Sequence, residues 1–193
     1  LWNNTHTDWY VVVWTNVLVE RHFPELYMTL KRIKTESWVS NLIRYHVIAR
    51  YGGIYIDTDI IPLRVLPSKL LENAFTVCEK PRDGSRCKLA CNAVIGSPRG
   101  NLEMELVASQ ALRRTKIHLN KSPQNSHKKN YKLAVTGPPF WSTFTTRSNS
   151  SIKILPSTTF YPCDWTDTRA CKKEKYIENP NVYAMHLWEH SWW

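Results

Sequence analysis

The sequence predicts an α/β domain with a mostly parallel central sheet flanked by helices, and three observations carry that prediction. Trp9-Tyr10-Val11-Val12-Val13-Trp14 is a continuous apolar run rich in β-branched and aromatic residues, the pattern of a strand buried on both faces. Glu36 to Arg50 reads as a helix of about four turns, with Val39, Leu42, Ile43, His46 and Val47 forming its apolar stripe. That helix runs into Gly52-Gly53, a stop that suits residues able to take positive φ. A short strand follows, in which Ile54 and Ile56 alternate with Tyr55 and Asp57.

The remaining elements follow in the same alternation. Val17 to Ile33 has helical spacing, with Pro24 starting its second half. Phe75 to Glu79 and Ala93 to Gly96 read as strands on either side of a polar loop, Pro81 to Lys88. Asn101 to Lys116 is an amphipathic helix with Asn101 as its cap. Ser122 to Lys132 is polar, basic and turn-rich. Ile152 to Leu155, Thr159 to Tyr161 and Asn181 to Met185 read as three late strands. At 193 residues the chain suits one domain with a single core, spanning residues 1–193.

Composition narrows the function classes. No run of about twenty apolar residues is present, so no segment reads as a membrane span. The net charge of +10 points to an anionic partner. No helix-turn-helix, zinc-finger or RNA-binding signature accompanies it, so nucleic acid is not expected as the partner. The five cysteines, at 78, 87, 91, 163 and 171, have no zinc-site spacing and are read as buried or loop thiols. Compartment stays open: the Golgi lumen if an anchor lies upstream, otherwise the cytoplasm.

The chemistry-bearing residues fall into three groups. Asp57 and Asp59 lie one residue apart where a strand gives way to loop, the edge at which open α/β sheets bind ligands. Two carboxylate oxygens there suit Mn²⁺ or Mg²⁺, which in turn holds a diphosphate. Asn41 and Arg44, three apart, share a helix face leading into the same strand. The closing segment from His186 to Trp193 supplies His186 as a further metal ligand, and Ser191 and Trp192 as donors to phosphate oxygens. Glu79 and Asp83 are candidate bases toward an acceptor hydroxyl, although loop solvation explains each as well.

Ser40-Asn41-Leu42-Ile43-Arg44-Tyr45, followed by Tyr51-Gly52-Gly53-Ile54-Tyr55-Ile56-Asp57-Thr58-Asp59, resembles the DXD-containing sugar transferases of the GT-A fold, a Rossmann-like nucleotide-diphospho-sugar transferase architecture. The most similar group includes yeast Golgi α-1,6-mannosyltransferase, animal α-1,4-galactosyltransferase and bacterial capsule-synthesis enzymes; the clostridial glucosylating toxins share the central pattern. Asn92-Ala93-Val94-Ile95-Gly96, Thr136-Gly137-Pro138, Phe160-Tyr161-Pro162 and His186-Leu187-Trp188-Glu189-His190-Ser191-Trp192 resemble its later landmarks, in order.

The resemblance implies a metal-dependent hexosyl-type transferase that moves a sugar from a nucleoside diphosphate, UDP ahead of GDP, to a glycan or glycoconjugate acceptor. It implies Asp59 as the main metal ligand and Asp57 beside both ion and donor, with His186, or alternatively Glu189, completing the sphere. Arg44, Asn41 and Tyr55 would face the donor, and Ser191 and Trp192 its diphosphate. Two departures accompany it. Asn41 stands where the family normally has Asp, and the family's first strand is expected to be absent or upstream of residue 1. A catalytically silent sugar- or nucleotide-binding module of the same fold is the alternative, and a basic nucleic-acid-binding protein a more distant one.

Overall fold

The computed structural model describes residues 1–80, 87–121, 134–163, 166 and 172–189; Asp83, Ser191 and Trp192 lie outside them. Four short or medium helices open the chain: α1 (Trp2–Thr5), α2 (Asn16–His22), α3 (Pro24–Leu30) and α4 (Glu36–Tyr51). The predicted helical stretch from Val17 breaks in two at Phe23, because Pro24 has no N–H to continue a ladder and is preorganised as a first helical residue. The Thr15 hydroxyl caps α2 by accepting from Leu18 N at 3.4 Å.

Strands β1 (Gly53–Ile56), β2 (Ile60–Pro62), β3 (Phe75–Lys80) and β4 (Leu89–Ser97) follow. Then come α5 (Leu102–Lys121), α6 (Pro138–Thr145), β5 (Lys153–Leu155), α7 (Glu174–Ile177) and β6 (Ala184–His186). The Asn101 side chain caps α5, accepting from Met104 N at 3.0 Å.

The chain is α/β, but the sheet is not mostly parallel. Its order is β1-β4-β3-β5, with β1/β4 and β3/β4 antiparallel and only β3/β5 parallel; β2 and β6 form a separate antiparallel pair. The physical reason lies in the connection between β3 and β4. It is too short for a parallel crossover, so the two strands fold back as a hairpin. Continuous burial, read as a parallel-sheet signal, instead marks β4, a central antiparallel strand buried along eight of its nine residues.

The Trp9–Trp14 run is not a strand. Tyr10 is fully exposed and Val13 is 71 % exposed. Apolar β-branched residues make a strand only where a neighbour completes the ladder, and among the described residues β1 pairs with β4 alone. The strand expected at Thr159–Tyr161 is likewise a 3-10 turn, Ser157–Thr159, after Pro156.

Two apolar layers enclose the sheet. On one side α4, α5 and α6 pack over Ala90 and Ile95; on the other Val77, Ala93 and Val94 meet Ile60, Phe160, Tyr161 and Ala184. Trp38, fully buried, ties α4 to α5 by donating from Nε1 to Thr115 Oγ1 at 3.2 Å. The cysteines depart from the thiol expectation. Cys78 and Cys87 form a disulfide across the β3–β4 hairpin, where their Cα atoms lie 5.8 Å apart, and Cys163 is disulfide-bonded as well. Cys91 is free, and burial pushes its thiol up to about 12.

At two glycines an added Cβ would collide with a neighbour. At Gly52 the chain leaves α4 with φ 68°, and a Cβ would sit 2.6 Å from Arg99 N. At Gly96 a Cβ would lie 1.9 Å from Cε1 of Phe75, which is 2 % exposed. Gly96→Ala is therefore expected to lower stability by about 1–3 kcal/mol in chemical denaturation. Phe75→Leu in that background should recover part of the loss; strictly additive effects would mean that the two positions do not meet.

The loop after α6 returns to α5 through Glu103. Its carboxylate accepts from Arg147 Nη2 (2.6 Å), Ser150 Oγ (3.1 Å), Ser151 N (2.8 Å) and Ser151 Oγ (2.6 Å). Burial pushes its pKa up, but these donors, the Ser151 hydroxyl foremost, outweigh it and hold the group below its ordinary 4.5. A depressed folded-state pKa gives stability that is present above the unfolded value and lost as pH falls through the folded one. Thermal unfolding at pH 7 and pH 3 should show a smaller acid-induced drop for Glu103→Gln than for the wild type.

Candidate functional site

The end of β1 is held from two sides. Asp57 leaves the strand with its N–H donating to Ala93 O at 2.9 Å, and its C=O accepts from Ile60 N at 3.1 Å, which forms the turn Asp57-Thr58-Asp59. Each carboxylate then meets a different wall. Asp57 faces α4 and Asp59 faces the C-terminal segment after β6.

Arg44 builds the first wall. It is 4 % exposed. Its Nε donates to Ser40 O at 3.3 Å and its Nη2 to Ser40 Oγ at 3.0 Å. Nη2 also lies 3.1 Å from Asp57 Oδ1, and Nη1 donates to Asp57 Oδ2 at 3.4 Å and to the Asn92 carbonyl. Its guanidinium carbon stands 4.6 Å from the centroid of the Tyr55 ring, whose hydroxyl donates to Asp57 Oδ1 at 2.7 Å. Burial alone would lower the pKa of Arg44. The Asp57 carboxylate, with Tyr55 and Tyr45, more than offsets it, and the net direction is up. Arg44 stays charged, with its N–H groups directed at the protein. It fixes Asp57, the carboxylate that the resemblance sets beside the donor.

Asn41, 6 % exposed, stands one turn before Arg44 and accepts from Asn92 Nδ2 at 2.9 Å. Asn92 Nδ2 also donates to Tyr45 OH at 2.9 Å, and Tyr45 OH donates to Thr136 O at 2.8 Å. Sequence reading named Asn92 only as the first residue of a family landmark, just before the strand Ala93 to Gly96; its amide and carbonyl together join Asn41, Tyr45 and Arg44. No local signal marks that role, because it depends on β4 lying against α4.

The second wall rests on β2 pairing with β6, in the register Ile60↔His186. His186 Nε2 comes to 3.1 Å from Asp59 Oδ2, and Glu189 N donates to the same oxygen at 3.3 Å. Burial pushes the Asp59 carboxyl up, but the hydrogen bond and charge of His186, with backbone N–H groups, outweigh it and hold it below 3.8. Tyr161 and Trp188 enclose the imidazole, with ring centroids 5.3 and 3.9 Å away. Trp188 is the one described non-glycine residue at positive φ, 55°. Its Nε1 donates to Cys163 O at 3.1 Å, and the turn it makes brings the Glu189 N–H back over Asp59. The Glu189 side chain is exposed.

Residues 1–76, which contain the α4 wall and the turn Asp57-Thr58-Asp59 but not the C-terminal wall, match the family model described as glycosyltransferase sugar-binding region containing DXD motif. That match supports a DXD glycosyltransferase family. It covers the stretch from α1 into the start of β3. No curated protein matches the chain.

DXD families typically use a divalent metal, and the residues present can be tested against one. Among the described residues no three His, Cys, Asp or Glu side chains gather as a metal cluster. Asp57, expected as a ligand, has Arg44 and Tyr55 on Oδ1 and Arg44 on Oδ2. Asp59 and His186 do fit. Adjacent ligands of an octahedron with bonds of about 2.1 Å stand about 3.0 Å apart, and Oδ2 and Nε2 are 3.1 Å apart. His186 Nδ1 is buried with no hydrogen-bond partner among the described residues, so no protein group fixes the tautomer at Nε2. A two-ligand site of this kind suits an ion whose remaining positions are filled by water and substrate phosphates.

Glu79, on β3, is partly buried on the side of Cys91 and Tyr161, and its charge acts on both. No described helix is long and apolar enough to cross a membrane.

Proposed function

We propose that this chain is a metal-dependent glycosyltransferase that moves a hexose-type sugar from a nucleoside diphosphate, with UDP favoured over GDP, to a glycan or glycoconjugate acceptor. The observation that carries the reading is the Asp59–His186 pair, which seats the second carboxylate of the DXD turn at octahedral-edge distance from an imidazole. The family match at residues 1–76 supports it, as does the ordered resemblance of the later landmarks from Asn92 to Trp192.

In this reading Asp59 and His186 hold Mn²⁺ or Mg²⁺, which supplies positive charge to the departing diphosphate. Arg44 holds the Asp57 carboxylate in place beside the donor. Tyr55, through its hydroxyl on Asp57 Oδ1, fixes the rotamer of that carboxylate. Trp188 keeps the C-terminal segment close enough for Glu189 N to stay on Asp59. Ser191 and Trp192 would reach the diphosphate from the continuation of that segment. Charge stabilisation by preoriented groups is the main catalytic effect such a site offers. Residues 1–193 act as one catalytic domain.

A thermal-shift screen of UDP, GDP and their sugars, run with Mn²⁺ and with chelator, tests the reading. At a ligand concentration about 100-fold above Kd the expected stabilisation is about 2.7 kcal/mol. It should appear only with metal. The absence of any metal-dependent shift would remove the transferase reading. A shift without turnover on glycan acceptors would favour the silent binding module.

A further inference from the structure

Three triplets of the form Asn-x-Ser/Thr, the acceptor pattern for N-linked glycan, occur in the chain: Asn3-Asn4-Thr5, Asn120-Lys121-Ser122 and Asn149-Ser150-Ser151. Such a triplet is common by chance, so its place in the fold has to decide. Asn3 lies in α1, where the neighbouring Trp2 Nε1 donates to Ile60 O at 3.0 Å, beside the Asp57-Thr58-Asp59 turn. Asn120 lies in the last turn of α5, and its Oδ1 accepts from Arg32 Nη2 at 3.1 Å. Asn149 alone is on a surface loop. Ser150 N donates to Arg147 O at 3.3 Å, which closes a turn with Asn149 exposed near its tip.

The flanks of that turn are held on α5 by Glu103, which accepts from Arg147, Ser150 and Ser151 but not from Asn149. Strand register shows where the loop lies. Lys153, which opens β5, pairs with Phe75, Phe75 with Gly96, and Gly96 with Ile54. From Ile54 to Asp57 β1 advances by about 10 Å. The loop before Lys153 therefore sits at the end of the sheet away from the two carboxylates, and a bulky group attached there extends into solvent without covering the Asp59–His186 pair. The cysteines supply the compartment. Cys78 and Cys87 are joined, and Cys163 is disulfide-bonded too. Disulfides of this kind form and persist in oxidising, secretory compartments and are rare in the cytosol.

We propose that Asn149 is a modification site that carries an N-linked glycan, acquired as the chain enters a secretory lumen. It does not depend on the transferase reading. The sugar donor is an oligosaccharide on a polyprenyl diphosphate, and the catalyst is a separate membrane enzyme. A bond forms between Asn149 Nδ2 and the anomeric carbon, the bond from that carbon to the diphosphate oxygen breaks, Nδ2 gives up one proton, and the polyprenyl diphosphate leaves. The triplet's hydroxyl, Ser151 Oγ, donates to Glu103 Oε2 at 2.6 Å in the folded chain. Transfer therefore precedes the docking of this loop on α5, and the finished fold then presents the glycan at the tip of a pinned turn.

Peptide mass mapping of the protein from the cells that make it, before and after peptide-N-glycosidase, tests this. The peptide holding Asn149 should be missing at its unmodified mass before treatment. Afterwards it should appear with aspartate at that position, since the enzyme hydrolyses the linking amide. Asn149→Gln and Ser151→Ala, expressed in the same cells, should each lose a glycan-sized step in gel mobility. Glu103→Gln, which loosens the loop but keeps the triplet, should retain it. Secreted and retained protein are mapped together, so a variant that folds poorly still reports. An unmodified Asn149 peptide in the wild type overturns the proposal, even with glycan at Asn3 or Asn120, and so does a pattern of mobility steps unchanged in Asn149→Gln.

Discussion

Arg44→Ala is expected to abolish transfer and to destabilise the fold by about 3–5 kcal/mol, the range for removing one partner of a buried ion pair. Arg44 is 4 % exposed, and its loss would strip Asp57 of its cation while leaving the Ser40 and Asn92 carbonyls with one donor fewer each. The two effects have one cause, because the wall that seats Asp57 is also part of the packing between α4 and β4. Arg44→Lys should not restore either. A single ammonium on a flexible stem cannot reach Ser40, Asn92 and both oxygens of Asp57 together. Urea denaturation beside a donor-hydrolysis assay checks the pair. Near-wild-type stability in Arg44→Ala, or full rescue by lysine, would show that Arg44 does not hold the wall.

Asp59→Ala should separate the two properties. Asp59 lies in the turn after β1, with neighbours supplied by the C-terminal segment rather than the core, so the loss of fold stability should be modest. Turnover should fall at least about 100-fold, since even groups that only support a metal ligand are worth 10–100-fold. Metal-dependent stabilisation by nucleotide should disappear with it. His186→Ala should act in the same direction, and the double variant should be little worse than either single one, because both remove the same ion. Activity retained in Asp59→Ala would take Asp59 out of its assigned role. Fully additive losses would separate His186 from it.

Much of the fold was legible wherever local physics and tertiary contacts agree. The stripe from Val39 to Val47 and the Gly52 stop gave α4 to within a residue, and Asn101 marked the start of α5. Both rest on interactions inside a turn or two of chain. The Trp9–Trp14 run misled because a strand is defined by its neighbour, which composition does not carry. The same is true of sheet direction, which the short β3–β4 connection decides.

The site divides along the same line. The sequence by itself determined the DXD turn: two glycines able to take positive φ, a strand of alternating faces, and two carboxylates at its end. It also placed Asn41 and Arg44 on one helix face, since that follows from helical periodicity. Only the tertiary structure decided what each group meets. Packing β4 against α4 gave Arg44 to Asp57 and joined Asn41 to the Asn92 amide, from which it accepts. Pairing β2 with β6 carried His186 across 127 residues to Asp59. Hydrogen-bond polarity and ligand geometry act over about 3 Å, and sequence spacing carries no information at that range once the partners lie on different elements.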